Sequence, residues 1–292
     1  MSQTYNIKDL ERISGIKAHT IRIWEKRYNV FSPKRTETNI REYCQEDLRK
    51  IITFGALNSR GVKISKLVTL SDEELSAQVL SLSQNPDDIE FQIEKLITAA
   101  ICLDEQSFED TIQVNLKSVG FEKTFEKLMY AFFERLGSLW HLGSINPAQE
   151  HFISNLIRQK LIVSLDNCKN RLTESKVLIA YLPEGEWHEL GLLYYSYLAV
   201  NKGFKLIYLG QSTPYDGARW AITNKQPDVV LVSFVQTISQ KKLASYMERM
   251  VNDFPATRII LSGIQAKQVL DCVPSQVEIV ANSSEFVAKI TE

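Results

Sequence analysis

No stretch of this 292-residue chain approaches the run of about 18 consecutive apolar residues that a membrane-spanning helix needs. The opening residues, MSQTYNIKDLERI, lack the charged and then apolar pattern of a secretory signal. Cys44, Cys102, Cys168 and Cys272 stand far apart and form no CxxC pair, which excludes a zinc knuckle and fits a reducing compartment. There is no internal repeat and no low-complexity tract. These absences lead us to expect a cytoplasmic protein without a membrane partner. With 44% hydrophobic and 24% charged residues the composition is that of a globular chain, long enough for two or three cores.

The formal net charge of −1 conceals an asymmetry. Residues 1–70 carry fourteen Lys/Arg against seven Asp/Glu, so the remainder, with 20 against 28, is acidic. A basic head on an acidic body points to a polyanion bound at one end.

Periodicity divides the chain into three parts. Ile7, Leu10 and Ile13, then Ile16, Ile21 and Trp24, recur at helical spacings on either side of Gly15, the pattern of a helix-turn-helix. The segment SPKRTETNIREY reads as a hairpin turning near Thr38-Asn39. From about residue 71 to 167 only helical patterns occur, at 89–103, 108–116, 121–139 and 149–165, and four helices of this length make a bundle. Beyond residue 171 come KVLIAYLP, FKLIYLG, DVVLVSFV, RIILSG and VEIVA, short apolar runs alternating with helical segments, as in a doubly wound parallel sheet. The expected fold is therefore multi-domain α and α/β. A winged helix-turn-helix head spans 1–75, a four-helix bundle cap 76–170 and a Rossmann-like doubly wound parallel sheet 171–292.

The second helix places Arg22, Lys26, Arg27 and Tyr28 near a polar face while Ile21 and Trp24 turn inward. Such a helix can enter a major groove, where Arg offers two donors to guanine and Lys or Tyr holds phosphate, although a solvated basic face has the same composition. The block KAHTIRIWEKRY followed by KRTETNIREY resembles the MerR family of regulators. That resemblance implies a double-stranded DNA operator as partner. It assigns Arg22 and Tyr28 to the reading helix, Arg35 and Arg41 to a wing that grips phosphate and minor groove, and Tyr43 to the wing's exit strand. Asn39 stands where a glycine is expected, and Asn tolerates positive φ better than most residues.

Immediately after the first strand of the α/β part comes LPEGEWHELG, which puts His188 at the carboxyl end of a strand, where doubly wound folds collect their ligands. A lone loop His is more often a plain surface residue. The run Glu186-Trp187-His188-Glu189-Leu190-Gly191 nevertheless resembles the DxHxxG motif of cobalamin-binding domains, with Glu in place of Asp. The resemblance extends to Ser233-Phe234-Val235, matching an SxL/V motif, and to Ser262-Gly263, where a Gly-Gly pair is usual. It implies that His188 is the lower axial ligand of cobalt, that Glu186 holds the other imidazole nitrogen, and that Gly191, Ser233, Val235 and Gly263 line the cofactor and its displaced nucleotide tail.

In the helical part, Trp140-His141 and Glu150-His151 form WHLGxxxxxxEH. Alone, the Trp reads as core. Together they resemble the cap of the light-sensing cobalamin repressors called the CarH or LitR group. That resemblance implies adenosylcobalamin, or another cobalamin, bound between cap and α/β domain. Trp140, Glu150 and His151 would surround the upper group, and His141 could take the upper cobalt position after light. It also implies a DNA-binding repressor whose self-association, as dimer or tetramer, responds to light. Two rivals remain at this point. One is a regulator that senses cobalamin without light or needs none. The other is a methyltransferase-type enzyme, which would need about 250 further residues for a catalytic barrel. We therefore expect no enzymatic activity.

Overall fold

The computed structural model describes residues 4–83, 85, 87–168, 176–268 and 274–292. Cys272 lies outside the described residues. The chain forms two compact units, 1–153 and 154–292.

The first unit opens with α1 (Ile7–Ser14), α2 (Ala18–Tyr28), the two-residue strands β1 (Lys34–Arg35) and β2 (Arg41–Glu42), and α3 (Gln45–Ser59). Each boundary has a local cause. Asn6 accepts from the N–H groups of Lys8 and Asp9 while Asp9 accepts from the Asn6 N–H, a reciprocal cap that starts α1. Gly15, at φ 72°, ends it with a left-handed turn. The antiparallel strands β1 and β2 make the expected wing, and Asn39 at its tip takes φ 63°, the conformation a glycine would otherwise supply. Arg35 Nη1 donates to Asn39 Oδ1 at 2.6 Å, which braces the turn. Leu10, Ile21, Tyr43, Leu48 and Ile51 are wholly enclosed, so α1, α2, the wing and α3 share one core.

Helices continue with α4 (Ile64–Leu67), α5 (Asp72–Ser83), α6 (Ile89–Cys102), α7 (Glu105–Val119), α8 (Phe121–Thr124), α9 (Tyr130–His141) and α10 (Pro147–Cys168). A π-helical turn, Phe125–Met129, joins α8 to α9, so the segment expected as one helix is one rod with a widened turn inside it. Asp88 and Asp104 cap α6 and α7 by accepting from Phe91 and Ser107 N–H. Leu96, Phe108, Leu128, Phe132 and Ile153 are buried among these helices.

The second unit alternates strands and helices: β3 (Val177–Pro183), α11 (Leu190–Asn201), β4 (Lys205–Thr213), α12 (Tyr215–Lys225), β5 (Val229–Ser233), α13 (Gln240–Asp253), β6 (Arg258–Ser262), β7 (Val277–Ile279) and α14 (Ser283–Thr291). The five strands are parallel in the order β4-β3-β5-β6-β7. Ile179, Tyr181, Val230, Val232, Ile259 and Leu261 pack against α12 and α13. Strand alternation sends Leu178, Ala180, Leu231, Ser233, Ile260 and Ser262 to the opposite face. The sheet is thus covered on both sides, the doubly wound parallel architecture expected from the apolar runs. The chain leaves β3 for β4 on one side and leaves β5 for β6 on the other, so the crevice beyond the carboxyl ends of β3 and β5 is the topological switch point where such folds bind ligands.

Candidate functional site

At that switch point the loop after β3 carries Glu186, Trp187, His188 and Glu189. Glu186 is buried, yet both its oxygens are engaged. Oε1 lies 2.6 Å from His188 Nδ1 and accepts from the Trp187 and His188 N–H groups. Oε2 accepts from the N–H groups of Val235 at 2.8 Å and Gln236 at 2.6 Å, just beyond β5. Burial opposes ionisation of this carboxyl, but these donors outweigh it and hold the group at about 2. A permanent carboxylate therefore fixes the imidazole through Nδ1 and makes Nε2 the nitrogen suited to a metal. His188 itself is largely exposed, with 56% of its side chain accessible.

The loop is fastened from three further sides. Glu189, also buried, pairs with Arg158 of α10 and accepts from the Tyr208 hydroxyl of β4 at 2.7 Å. Burial and then the neighbouring carboxylate push the Tyr208 hydroxyl well above its ordinary value, so it stays a donor. Gln211 donates to the Trp187 carbonyl at 2.7 Å. Ser212, in the left-handed region at φ 46°, donates its N–H to the Glu186 carbonyl and accepts from Gly185 N–H. Sequence reasoning did not find Gln236, Arg158, Tyr208, Gln211 or Ser212. Their partners lie far away along the chain, and only the strand register brings them in.

The remaining expected positions fall at the same end of the sheet. Ser233 and Ser262 are paired in the β5–β6 register. Gly263, at φ 96°, lies against the Phe234 backbone so closely that a Cβ would meet the Phe234 carbonyl oxygen at 2.2 Å. Gly191 is exposed in the first turn of α11, with nothing within 4 Å of where a side chain would begin. The hydroxyls of Ser196, on α11, and Ser262 are buried without a hydrogen-bond partner among the described residues. Buried hydroxyls ordinarily have partners, so this pair marks an interior layer with polar demand left over.

Trp140, His141, Glu150 and His151 occupy one corner of the first unit. Gly143, at φ 69°, closes α9 by donating to the Trp140 carbonyl while Ser144 donates to the Leu139 carbonyl. Asn146 and Gln149 then cap each other reciprocally to start α10. Trp140, at the end of α9, is 40% exposed. His151 Nδ1 lies 2.8 Å from Glu150 Oε2. This group and the His188 loop belong to different compact units.

In the head, Arg22, Lys26 and Arg27 are exposed on α2, and Arg27 stacks over the ring of the half-buried Tyr28 at 5.4 Å. Arg35 is exposed on the wing. Two of the expected residues have partners inside the protein. Tyr43 is fully buried, and its hydroxyl donates to Glu25 at 3.0 Å. Burial and then Glu25 raise the Tyr43 hydroxyl above its ordinary value. Arg41 is half-buried and its Nε donates to the same carboxylate at 2.9 Å. Both residues tether the wing to α2 through Glu25, a partner that spacing alone did not reveal. Among the described residues no cluster of His, Cys, Asp and Glu could hold a metal ion, and no helix is long and apolar enough to cross a membrane.

Comparison with known proteins identifies two parts of the chain. Residues 5–74 match the MerR HTH family regulatory protein model, and residues 92–163 match the B12 binding domain model. The HTH-type transcriptional repressor CarH of Myxococcus xanthus is 28% identical over 87% of this chain and 86% of its own length. The HTH-type transcriptional repressor CarA of the same organism is 26% identical over 98% of this chain and 96% of its own length. Among solved structures, the Methanosarcina barkeri monomethylamine corrinoid protein aligns with a TM-score of 0.45 and 16% identity, covering 73% of this chain and 95% of that one. The chain thus joins a MerR-type helix-turn-helix to a B12-binding domain and resembles the CarH and CarA repressors.

Proposed function

We propose that this MerR-type head joined to a cobalamin-binding body is a transcriptional repressor that binds adenosylcobalamin and responds to light through altered self-association. The observation that carries this reading is the Glu186–His188 pair at the switch point, with the carboxylate locked by the Val235 and Gln236 N–H groups. The residues fit the group. A fixed imidazole suits cobalt, the open space over Gly191 admits a bulky ligand, and the unpartnered Ser196 and Ser262 hydroxyls suit a polar appendage.

His188 would hold cobalt through Nε2, with Glu186 fixing its tautomer and orientation. Trp140, Glu150 and His151 would shield the light-sensitive group from water, and His141 would be a second imidazole able to hold cobalt. When bound, adenosylcobalamin supplies a cobalt–carbon bond that light can cleave. The dark and illuminated states would then bind the cofactor differently, the difference that any ligand switch requires. Assembly as dimer or tetramer would let several heads engage one DNA operator, raising avidity through effective concentration.

The test is to load the purified protein with adenosylcobalamin in the dark, remove excess, and record absorption and molecular mass before and after green light. A bound spectrum that changes together with mass is the expected result, and His188→Ala should alter or abolish the bound spectrum. Stable binding without a light response would instead identify a cobalamin sensor, and absence of binding would overturn the cobalamin reading.

A further inference from the structure

The basic face of α2 contains one residue that charge does not explain. Ile21 and Trp24 are buried, while His19, Arg22, Ile23 and Lys26 are all exposed at i, i+3, i+4 and i+7, a single outward stripe. Ile23 sits in the middle of that stripe and is 52% exposed. Within the described part of residues 1–70, the exposed large hydrophobic side chains are Ile23, on α2, and Ile40, in the loop between β1 and β2. His19 lies one helical turn before Ile23 and Arg27 one turn after it.

Lysine and arginine on this face are served by phosphates and by guanine edges. A hydrocarbon is served by neither. In the major groove the apolar group that a base pair presents is the C5-methyl of thymine. The β-branched side chain of Ile23 is stiff at χ1 and so loses little freedom on contact.

We infer that Ile23 is a specificity-determining residue of the reading helix that packs on a thymine methyl in the operator. The inference rests on α2 being the element that reads DNA. Ile40, past the turn at the wing tip, is the internal control, because a minor-groove contact meets no thymine methyl.

The experiment begins by selecting an operator for the full-length protein from a random-sequence duplex library. Each thymine in the selected site is then replaced singly by deoxyuridine, which removes one methyl group and leaves every hydrogen-bonding atom. One position should lose about fourfold in affinity for the wild type, the value of one buried methyl-sized group. Ile23→Ala should bind thymine and deoxyuridine equally at that position. Ile23→Val should keep most of the ratio, and Ile40→Ala should keep all of it. Circular dichroism of Ile23→Ala should match wild type, since the side chain is outside the core. If no replacement affects the wild type, or if Ile23→Ala retains the ratio, the inference is overturned while DNA reading by α2 stands. If the library yields no enriched sequence, the DNA reading falls and the inference falls with it.

Discussion

Gly263 shows how much one missing side chain can decide. Its φ of 96° lies in the region that side chains avoid, and an added Cβ would collide with the carbonyl oxygen, carbon and nitrogen of Phe234. Gly263→Ala should therefore destabilise the second unit by at least about 2 kcal/mol, seen as a lower midpoint in urea. The neighbouring Ser262 was legible only as a departure from a Gly-Gly pair. The structure gives the reason for keeping one glycine and not the other, since the backbone closes on position 263. Glu186 and His188 were likewise legible from their two-residue spacing, but the donors beyond β5 that hold the carboxylate ionised were not. Tyr43 illustrates the reverse case, where a motif position is real but its work is internal.

At the scale of elements, helices were legible from their apolar period, and the five strands of the sheet were all anticipated from β-branched runs. The π-helical turn at Phe125–Met129 was not, because one extra residue in a turn leaves the composition of both flanking helices unchanged. Nor was the joint between α3 and α6 visible. There Arg60, at the end of α3, forms a two-pronged pair with Asp88 at 2.5 and 2.7 Å and reaches Glu94 at 3.4 Å. Burial, only partly offset by Arg60, raises the Glu94 carboxyl to about 7. For a carboxyl raised above its unfolded value of 4.5, the folded state is favoured fully below pH 4.5, and that advantage is lost as pH rises through about 7. Glu94→Gln, which mimics the protonated form, should leave stability nearly unchanged at pH 4 and increase it by about 1–3 kcal/mol at pH 8.5. Thermal melts across that range would check the sign, and equal effects at both ends would contradict it.

For the whole molecule, charge was the earliest guide. The basic first 70 residues coincide with the helix-turn-helix and wing, and the acidic remainder with the helical and α/β parts. Ligand linkage operates at the same scale. Adenosylcobalamin at a hundredfold excess over its dissociation constant should stabilise the folded protein by about 2.7 kcal/mol, and His188→Ala should forfeit most of that gain in a dark thermal melt. An unchanged melting temperature for the wild type would mean that the folded state does not hold the cofactor.

The helix α10 begins in one compact unit and ends in the other, with the division falling between Ile153 and Ser154. Modular proteins usually exchange parts at loops, and here the boundary offers none. A crossover at that point would splice two half-helices whose apolar faces must agree in phase, since each residue inserted or deleted rotates everything beyond it by about 100°. A chimera joined at 153/154 therefore has to keep α10 unbroken and its length unchanged.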